Sequence, residues 1–450
     1  MASSPSSSAQ SPKPHHIVAM PFPGRGLINP LLNLAGHLST HGLLVTVVLT
    51  EEWLGLLSTS PTPPLPAVQF RSIPNVIPSE HGRAADYNGF LNAVNSNLEE
   101  PFDRLLEDLD PPPAAILADA HLMWMIAVGE RRRLPVYSLW TMPATFFSLF
   151  YGSEDIFGGD CNVASKEIDK KLEQHVKGLN LGDVSSVICS ATIKKLVLDT
   201  LFWVRGAQGV IFASIYELEP HIIDSLKSKL SCPVYTVGPC IPYLALKDKP
   251  GNLDYMQWLD SQPINSVLYL SLGSFLSVSV AQMDEIITGL HESGIRFLMV
   301  ARGDTSRVQA KMGSTGLVVQ WCDQLKVLCH PSIGGFFTHC GWNSTLECLF
   351  AGKPMLTFPL FMDQPLNCKL IANVWKIGLN VKEKIGDGCL VGGKVIAKFA
   401  KRLMDVEGME VKEMRKKAVE LSEVVHKAVE EGGSSYCGIS AFVEDVSSSF

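Results

Sequence analysis

Short apolar, β-branched runs alternate along most of the chain with stretches whose apolar residues recur three and four positions apart. Residues 16–20 read as a buried strand, and Pro23-Gly24-Arg25-Gly26-Leu27-Ile28-Asn29-Pro30 as a turn leading into a helix with proline in its first turn. Leu31, Leu34 and Leu38 keep helical spacing, Gly42 stands where that helix should stop, and 44–50 is β-branched enough for a second strand. Further strands are expected at 68–73, 114–118, 136–140, 210–213 and 234–237. The stretch 244–252 breaks the pattern with charges, Pro and Gly. The alternation then restarts, with strands at 266–272, 296–301, 317–320, 335–338 and 355–359 and helices at 281–293 and 344–351. Strands separated by helical spans pair in parallel, so the pattern predicts an α/β chain of two doubly wound sheets. The expected division is a flexible tail over 1–14, an N-terminal domain over 15–243, a linker over 244–252 and a C-terminal domain over 253–450. The last helix is a candidate to return to the N-terminal domain.

With 450 residues, 46% hydrophobic and 18% charged, the chain can bury two cores, and an intrinsically disordered protein is excluded. A net charge of −7 supplies no basic field for nucleic acid, so any phosphate must be met locally. Mean hydropathy is +0.17. The longest mostly apolar stretch, 137–151, nevertheless holds a proline and falls short of the roughly 20 residues that span a bilayer, so no transmembrane segment is expected. The Ser/Pro-rich start has no apolar run of the kind a secretory signal needs, which points to a cytoplasmic protein. Eleven cysteines without Cys-x-x-Cys spacing read as reduced, buried thiols. Cys322, Cys329, His330, His339 and Cys340 match no zinc spacing, and no metal is expected.

The most informative segment is 321–364. Gly335-Phe336-Phe337-Thr338-His339 reads as a strand, Cys340-Gly341-Trp342-Asn343 as a tight turn and 344–351 as a helix closed by Gly352 and Pro354. In a doubly wound sheet such a turn lies at the carboxyl ends of the strands, and the following helix offers unpaired N–H groups and about half a positive charge. Gly341, Asn343 and Ser344 let the backbone approach a phosphate, and His339 can donate to an oxygen, so a diphosphate would fit. On these residues alone a plainer reading competes: Asn343 and Ser344 cap a helix, Trp321 and Trp342 are core aromatics, Glu347 is a solvated charge and Asp363-Gln364 are loop polars. Asn343-Ser344-Thr345 also fits an N-glycosylation acceptor, which is set aside for want of a secretion signal.

The joint spacing reverses that balance. Trp321, Gln324, His330-Pro331, Gly334-Gly335, the run from Thr338 to Ser344, Glu347, Gly352, Pro354 and Asp363-Gln364 resemble the 44-residue signature box of plant family 1 UDP-glycosyltransferases. Weaker echoes stand at Pro23-Gly24-x-Gly26, Asp119, Val237-Gly238-Pro239, Ser271-Leu272-Gly273-Ser274 and Glu431 to Ser435. The resemblance implies a GT-B fold, in which two Rossmann-like domains face each other across a cleft. It also implies a monomer that transfers a sugar, with inversion, from a UDP-sugar to a small apolar acceptor such as a phenol, alcohol or carboxylate. Carried over by position, Trp321 would stack on uracil, the Cys322 backbone would read the base edge, and Glu347 would take the ribose hydroxyls with Gln324 nearby. Ser274, His339, Asn343 and Ser344 would hold the phosphates, with Gly341 allowing close approach. Trp342, Asp363 and Gln364 would bond the sugar, and Gln364 is the residue that glucose users carry, which implies UDP-glucose as co-substrate without a cofactor. The family usually has Pro where this chain has Asp323.

One position departs from the pattern. The family's general-base His, two residues before the Asn-Pro pair, is Leu27 here, although Asp119 matches the carboxylate that orients that His. A general base is typically worth about 10² to 10⁴ in rate, and leucine supplies none. Three accounts follow: Asp119 or His121 is a surrogate base, the acceptor arrives ionised, or the chain is a catalytically silent UDP-sugar binding protein. A substitution of a natural His would leave the same sequence. Phe22, Trp124, Thr141 and Phe147 are the candidate acceptor walls. A nicotinamide dehydrogenase, suggested by Gly24-x-Gly26 alone, ranks last because the third glycine of that fingerprint is missing.

Overall fold

A computed structural model describes residues 15–58, 68–83, 85–151, 191–247, 253–273, 278–301, 308–310, 315–382 and 389–448. The first sheet contains β1 (His16–Met20), β2 (Leu44–Thr50), β3 (Val68–Ile73), β4 (Ala115–Asp119), β5 (Val136–Trp140), β6 (Gly209–Phe212) and β7 (Val234–Thr236). Its order is β3-β2-β1-β4-β5-β6-β7, every pair parallel. The second contains β8 (Val267–Ser271), β9 (Arg296–Val300), β10 (Gly316–Val319), β11 (Ile333–Thr338), β12 (Met355–Thr357) and β13 (Gly378–Asn380), in the order β10-β9-β8-β11-β12-β13, again parallel. Helices cover both faces, so β1, β4, β5 and β8 are buried at every position, whereas edge strand β3 alternates with solvent. Both sheets have the doubly wound order, which reverses direction beside the first strand and opens a crevice there. In the first sheet that crevice lies between the loops after β1 and β4. In the second it lies between those after β8 and β11.

Two helix starts differ from the sequence reading, and both differences bear on the site. The first helix, Arg25–Thr40, begins early enough that Pro30 falls in its second turn rather than its first, and Leu27 sits in the first turn. Proline has no N–H to give the carbonyl four residues back, and Gly26 O is thereby left available. The helix after β11 spans Trp342–Phe350, two residues earlier than expected at its start. Strand β13 goes unannounced because three residues, one of them glycine, carry no periodicity.

The expected linker opens with the 3-10 turn Tyr243–Lys247, and the rest of it, like the tail 1–14, falls outside the described residues. The last helix, Ser434–Ser448, packs on the first sheet, where Asp445 Oδ2 accepts from the Tyr137 hydroxyl at 2.7 Å and the Tyr235 hydroxyl at 2.9 Å. Phe442 of the same helix is fully buried against both tyrosine rings. Among the described residues no helix is long and apolar enough to cross a membrane, and no group of three His, Cys, Asp or Glu is placed to hold a metal ion.

Candidate active site

The C-terminal half of the site grows from the ends of β8, β10 and β11. Helix Trp342–Phe350 has Gly341 at its cap position with no side-chain cap bond, and its first ladder bond is Thr345 N to Gly341 O at 2.9 Å. The N–H groups of Trp342, Asn343 and Ser344 thus precede the ladder, which leaves a positive end facing the crevice. The capping reading of Asn343 and Ser344 is corrected by their partners. Asn343 Nδ2 donates to Gly26 O at 2.7 Å, and Ser344 Oγ accepts from Gln324 Nε2 at 2.9 Å. His339 is wedged between two glycines: a Cβ added at Gly273, which has φ +86°, or at Gly341 would fall 2.5 Å from His339 Nε2. Backbone without side chains therefore lets the imidazole lie across both loops.

Trp321 leaves β10 with 36% of its surface exposed, an open indole face of the kind that stacks on a base. The following helix, Gln324–Leu328, is capped by Asp323, whose side chain accepts from Lys326 N at 3.3 Å, a bond that proline could not supply. A chain of hydrogen bonds runs behind it. The Tyr269 hydroxyl lies 3.3 Å from Cys322 Sγ and donates to Gln324 Oε1 at 3.1 Å, and Gln324 Nε2 in turn donates to Glu347 Oε2. Burial pushes Glu347 up from 4.5 to about 7 against the opposing pull of the Gln324 bond, with Asp323 adding repulsion.

Asp363 is 6% exposed and accepts from Asn367 Nδ2 at 2.7 Å, while the same amide nitrogen donates to Cys340 O at 2.8 Å. Burial raises Asp363 from 3.8 to about 7. Gln364 Oε1 accepts from Leu360 N and Phe361 N at 2.8 and 3.0 Å, so its carbonyl end shapes the loop and its amide nitrogen is the end left for a ligand. Trp342 is 3% exposed and its indole N–H donates to Ala213 O, across the domain boundary, at 3.3 Å. The expectation that Trp342 bonds a sugar is therefore confined to its main-chain N–H. Ser274 lies outside the described residues.

The N-terminal half sits at the β1/β4 crevice. Asp119, 1% exposed at the end of β4, accepts at Oδ1 from His121 N at 3.0 Å and faces His121 Nδ1 at 2.9 Å. Since the carboxylate can only accept, Nδ1 carries the hydrogen, and in the neutral ring Nε2 carries the lone pair. Trp140 stacks on the imidazole at 5.5 Å and Phe22 meets its edge at 6.2 Å. His121 Nε2 and Asp119 Oδ2 are buried without a hydrogen-bond partner. Leu27 is half-buried against the same apolar cluster as Phe22, and Met362 reaches that cluster from the C-terminal domain. The Phe361 ring packs edge-on to Tyr87 at 5.8 Å, so the two halves close around one cleft.

Of the expected acceptor walls, Phe22 stands beside His121 and Thr141 is buried just after β5. The other two are corrected. Phe147 has no exposed surface and packs edge-on to Trp140 and Phe212, while Trp124 donates its N–H to Val94 O at 3.3 Å and packs on Phe102. Rings that follow a buried strand are claimed by the helix layer above it. Sequence reasoning missed Tyr269, Trp140, Asn367 and the Gly26 carbonyl. Only Asn367 had a signal, its spacing of four from Asp363 on a helix.

Comparison with known proteins agrees with this geometry. Residues 240–389 match the family model described as UDP-glucoronosyl and UDP-glucosyl transferase. The chain is 46% identical over 445 residues to UDP-glycosyltransferase 87A2 of Arabidopsis thaliana, covering 96% of each chain. Among solved structures it is similar to Os79 from O. sativa in complex with UDP, with a TM-score of 0.85 and 26% identity over 96% of this chain and 100% of that one. It is also similar to Medicago truncatula UGT71G1 complexed with UDP-glucose, with a TM-score of 0.78 and 26% identity over 96% and 98%. With two parallel doubly wound sheets and a relative this similar over nearly its whole length, the chain belongs to the plant family 1 UDP-glycosyltransferases.

Proposed function

We propose that the chain transfers glucose from UDP-glucose, with inversion, to a small apolar acceptor, a phenol, alcohol or carboxylate, and that His121 replaces the missing base at Leu27. The donor reading rests on the exposed Trp321, the part-buried Glu347 and the open first turn of helix Trp342–Phe350, which suit base, ribose and diphosphate in that order. The UDP and UDP-glucose held by the similar O. sativa and Medicago truncatula proteins support it. Gln364 and Asp363 take the sugar hydroxyls, and the helix N–H groups with His339 meet the diphosphate charge without a metal.

The observation that carries the base assignment is the Asp119–His121 contact at 2.9 Å, which fixes one tautomer and leaves Nε2 buried and unpartnered. An unpaired buried nitrogen of this kind costs about 1–3 kcal/mol. An acceptor hydroxyl that reaches it recovers that cost, donates its proton to Nε2 and attacks C1 of the sugar as UDP leaves. Asp119 then stabilises the imidazolium, as the third member of a triad does.

His121→Gln tests the assignment. It keeps a polar side chain but removes the base, so kcat on a phenol should fall by about 10² to 10⁴ while the UDP-glucose dissociation constant stays unchanged. An unchanged kcat removes His121 from the reaction.

A further inference from the structure

The carboxyl end of helix Arg25–Thr40, the 3-10 turn Tyr243–Lys247 and the start of helix Ser434–Ser448 enclose a cavity of about 300 Å³ that sugar transfer does not use. It lies at the opposite end of the first helix from Leu27. At 1.5 Å per residue, Leu27 and His41 are about 20 Å apart along the axis, so UDP in the cleft leaves the cavity open. The motif Glu431 to Ser435, which the transfer chemistry leaves unexplained, leads into it.

Ser435 lines the cavity, is 1% exposed, and its Oγ has no hydrogen-bond partner. It is the second residue of a 15-residue helix whose first ladder bond is Cys437 N to Gly433 O, so the N–H groups of Ser434, Ser435 and Tyr436 precede the ladder. His41, whose ring packs 5.4 Å from that of Tyr436, also lines the cavity; its Nδ1 donates to His37 O at 2.9 Å, which in the neutral ring leaves Nε2, another buried atom without a partner, as an acceptor. Lys247, an exposed cation, also lines the cavity. His37, pushed down to about 4 by burial, is neutral at pH 7 and packs against Tyr243 at 4.8 Å. Ser434 is taken already, donating to Glu217 at 2.7 Å.

The cavity thus offers a hydroxyl donor, a helix amino end, a cation and an imidazole acceptor. A hydrogen phosphate group has the matching set, with several acceptor oxygens and one O–H. We propose that this cavity, distant from the catalytic cleft, binds a phosphate group, either as inorganic phosphate or as a small phosphate monoester.

The test uses the full chain saturated with UDP, so that the cleft is filled, and follows radiolabelled inorganic phosphate by equilibrium dialysis. One site per chain is expected. Ser435→Ala and Lys247→Met should each weaken it by about tenfold, the loss of one charge-assisted hydrogen bond. UDP affinity, unchanged in both variants, reports that they fold. Competition by phenyl phosphate assigns the site to a monoester, and failure to compete assigns it to free phosphate. No binding at millimolar phosphate, or binding that both variants leave intact, overturns the proposal.

Discussion

Leu27→His puts a base back where the family carries one. The side chain stands in the first turn of helix Arg25–Thr40, half-buried on the cluster that includes Phe22, at the crevice shared by the loops after β1 and β4. Asp119 Oδ1 already serves two groups of His121, but Oδ2 is buried without a partner and can accept one more N–H. Filling that vacant acceptor gains about 1–3 kcal/mol, against about 1–2 kcal/mol lost with the leucine packing. Stability should therefore change little. The kinetic gain is that of a second base and should reach about 10² or more in kcat/KM for a phenol of pKa near 10, or roughly 3 kcal/mol. A carboxylic acceptor, ionised at neutral pH, should gain almost nothing. The assay is acceptor-dependent UDP release with a phenol and an aromatic acid, beside UDP-glucose affinity. In the His121→Gln background the same substitution should restore phenol turnover. Unchanged phenol turnover with intact UDP-glucose binding would refute the argument, because a base in contact with Asp119 would then have no effect.

Three further outcomes follow from the cleft. Pro30→Ala gives Gly26 O an intrahelical donor that competes with Asn343 Nδ2. The KM for UDP-glucose should rise by about two- to tenfold, the worth of one hydrogen bond, while the melting temperature does not fall, and an unchanged KM refutes the coupling. Glu347 and Asp363 are both raised to about 7 in the free protein, so each must lose a proton before both of its oxygens can accept from sugar hydroxyls. UDP-glucose affinity should then drop by about tenfold per carboxylate between pH 8 and pH 6, and Glu347→Gln should remove one of those factors. The same shifts make the free protein less stable as pH rises from the unfolded carboxyl values toward 7, because the unfolded chain ionises first. Calorimetry across that range measures both effects.

The parallel strands were legible in the sequence because buried parallel strands are short apolar runs set off by helical spacing, which is how β1, the strongly β-branched β2 and β5 show themselves. The donor turn was legible for the same reason, since Gly341, Asn343 and Ser344 follow a strand and open a helix. What the residues did there was not. Asn343 and Ser344 look like caps until Gly26 O and Gln324 come within bonding distance through contacts far apart in the chain. Leu27 announced a missing base, yet the pairing of His121 with Asp119 depends on a turn geometry that two-residue spacing does not determine. Trp124 and Phe147 were misplaced because an aromatic after a strand reads alike whether it faces a cleft or the helix layer.

The most direct test of the account is transfer itself. The chain is incubated with UDP-glucose and, separately, a phenol, an alcohol and an aromatic acid, with released UDP counted against glucoside and the anomeric configuration read by proton NMR. The account predicts equal amounts of UDP and β-glucoside for at least the acid and the phenol, and their loss in His121→Gln for the phenol alone. Tight UDP-glucose binding with no acceptor-dependent UDP release from any of the three would contradict it and leave a protein that holds the donor without using it.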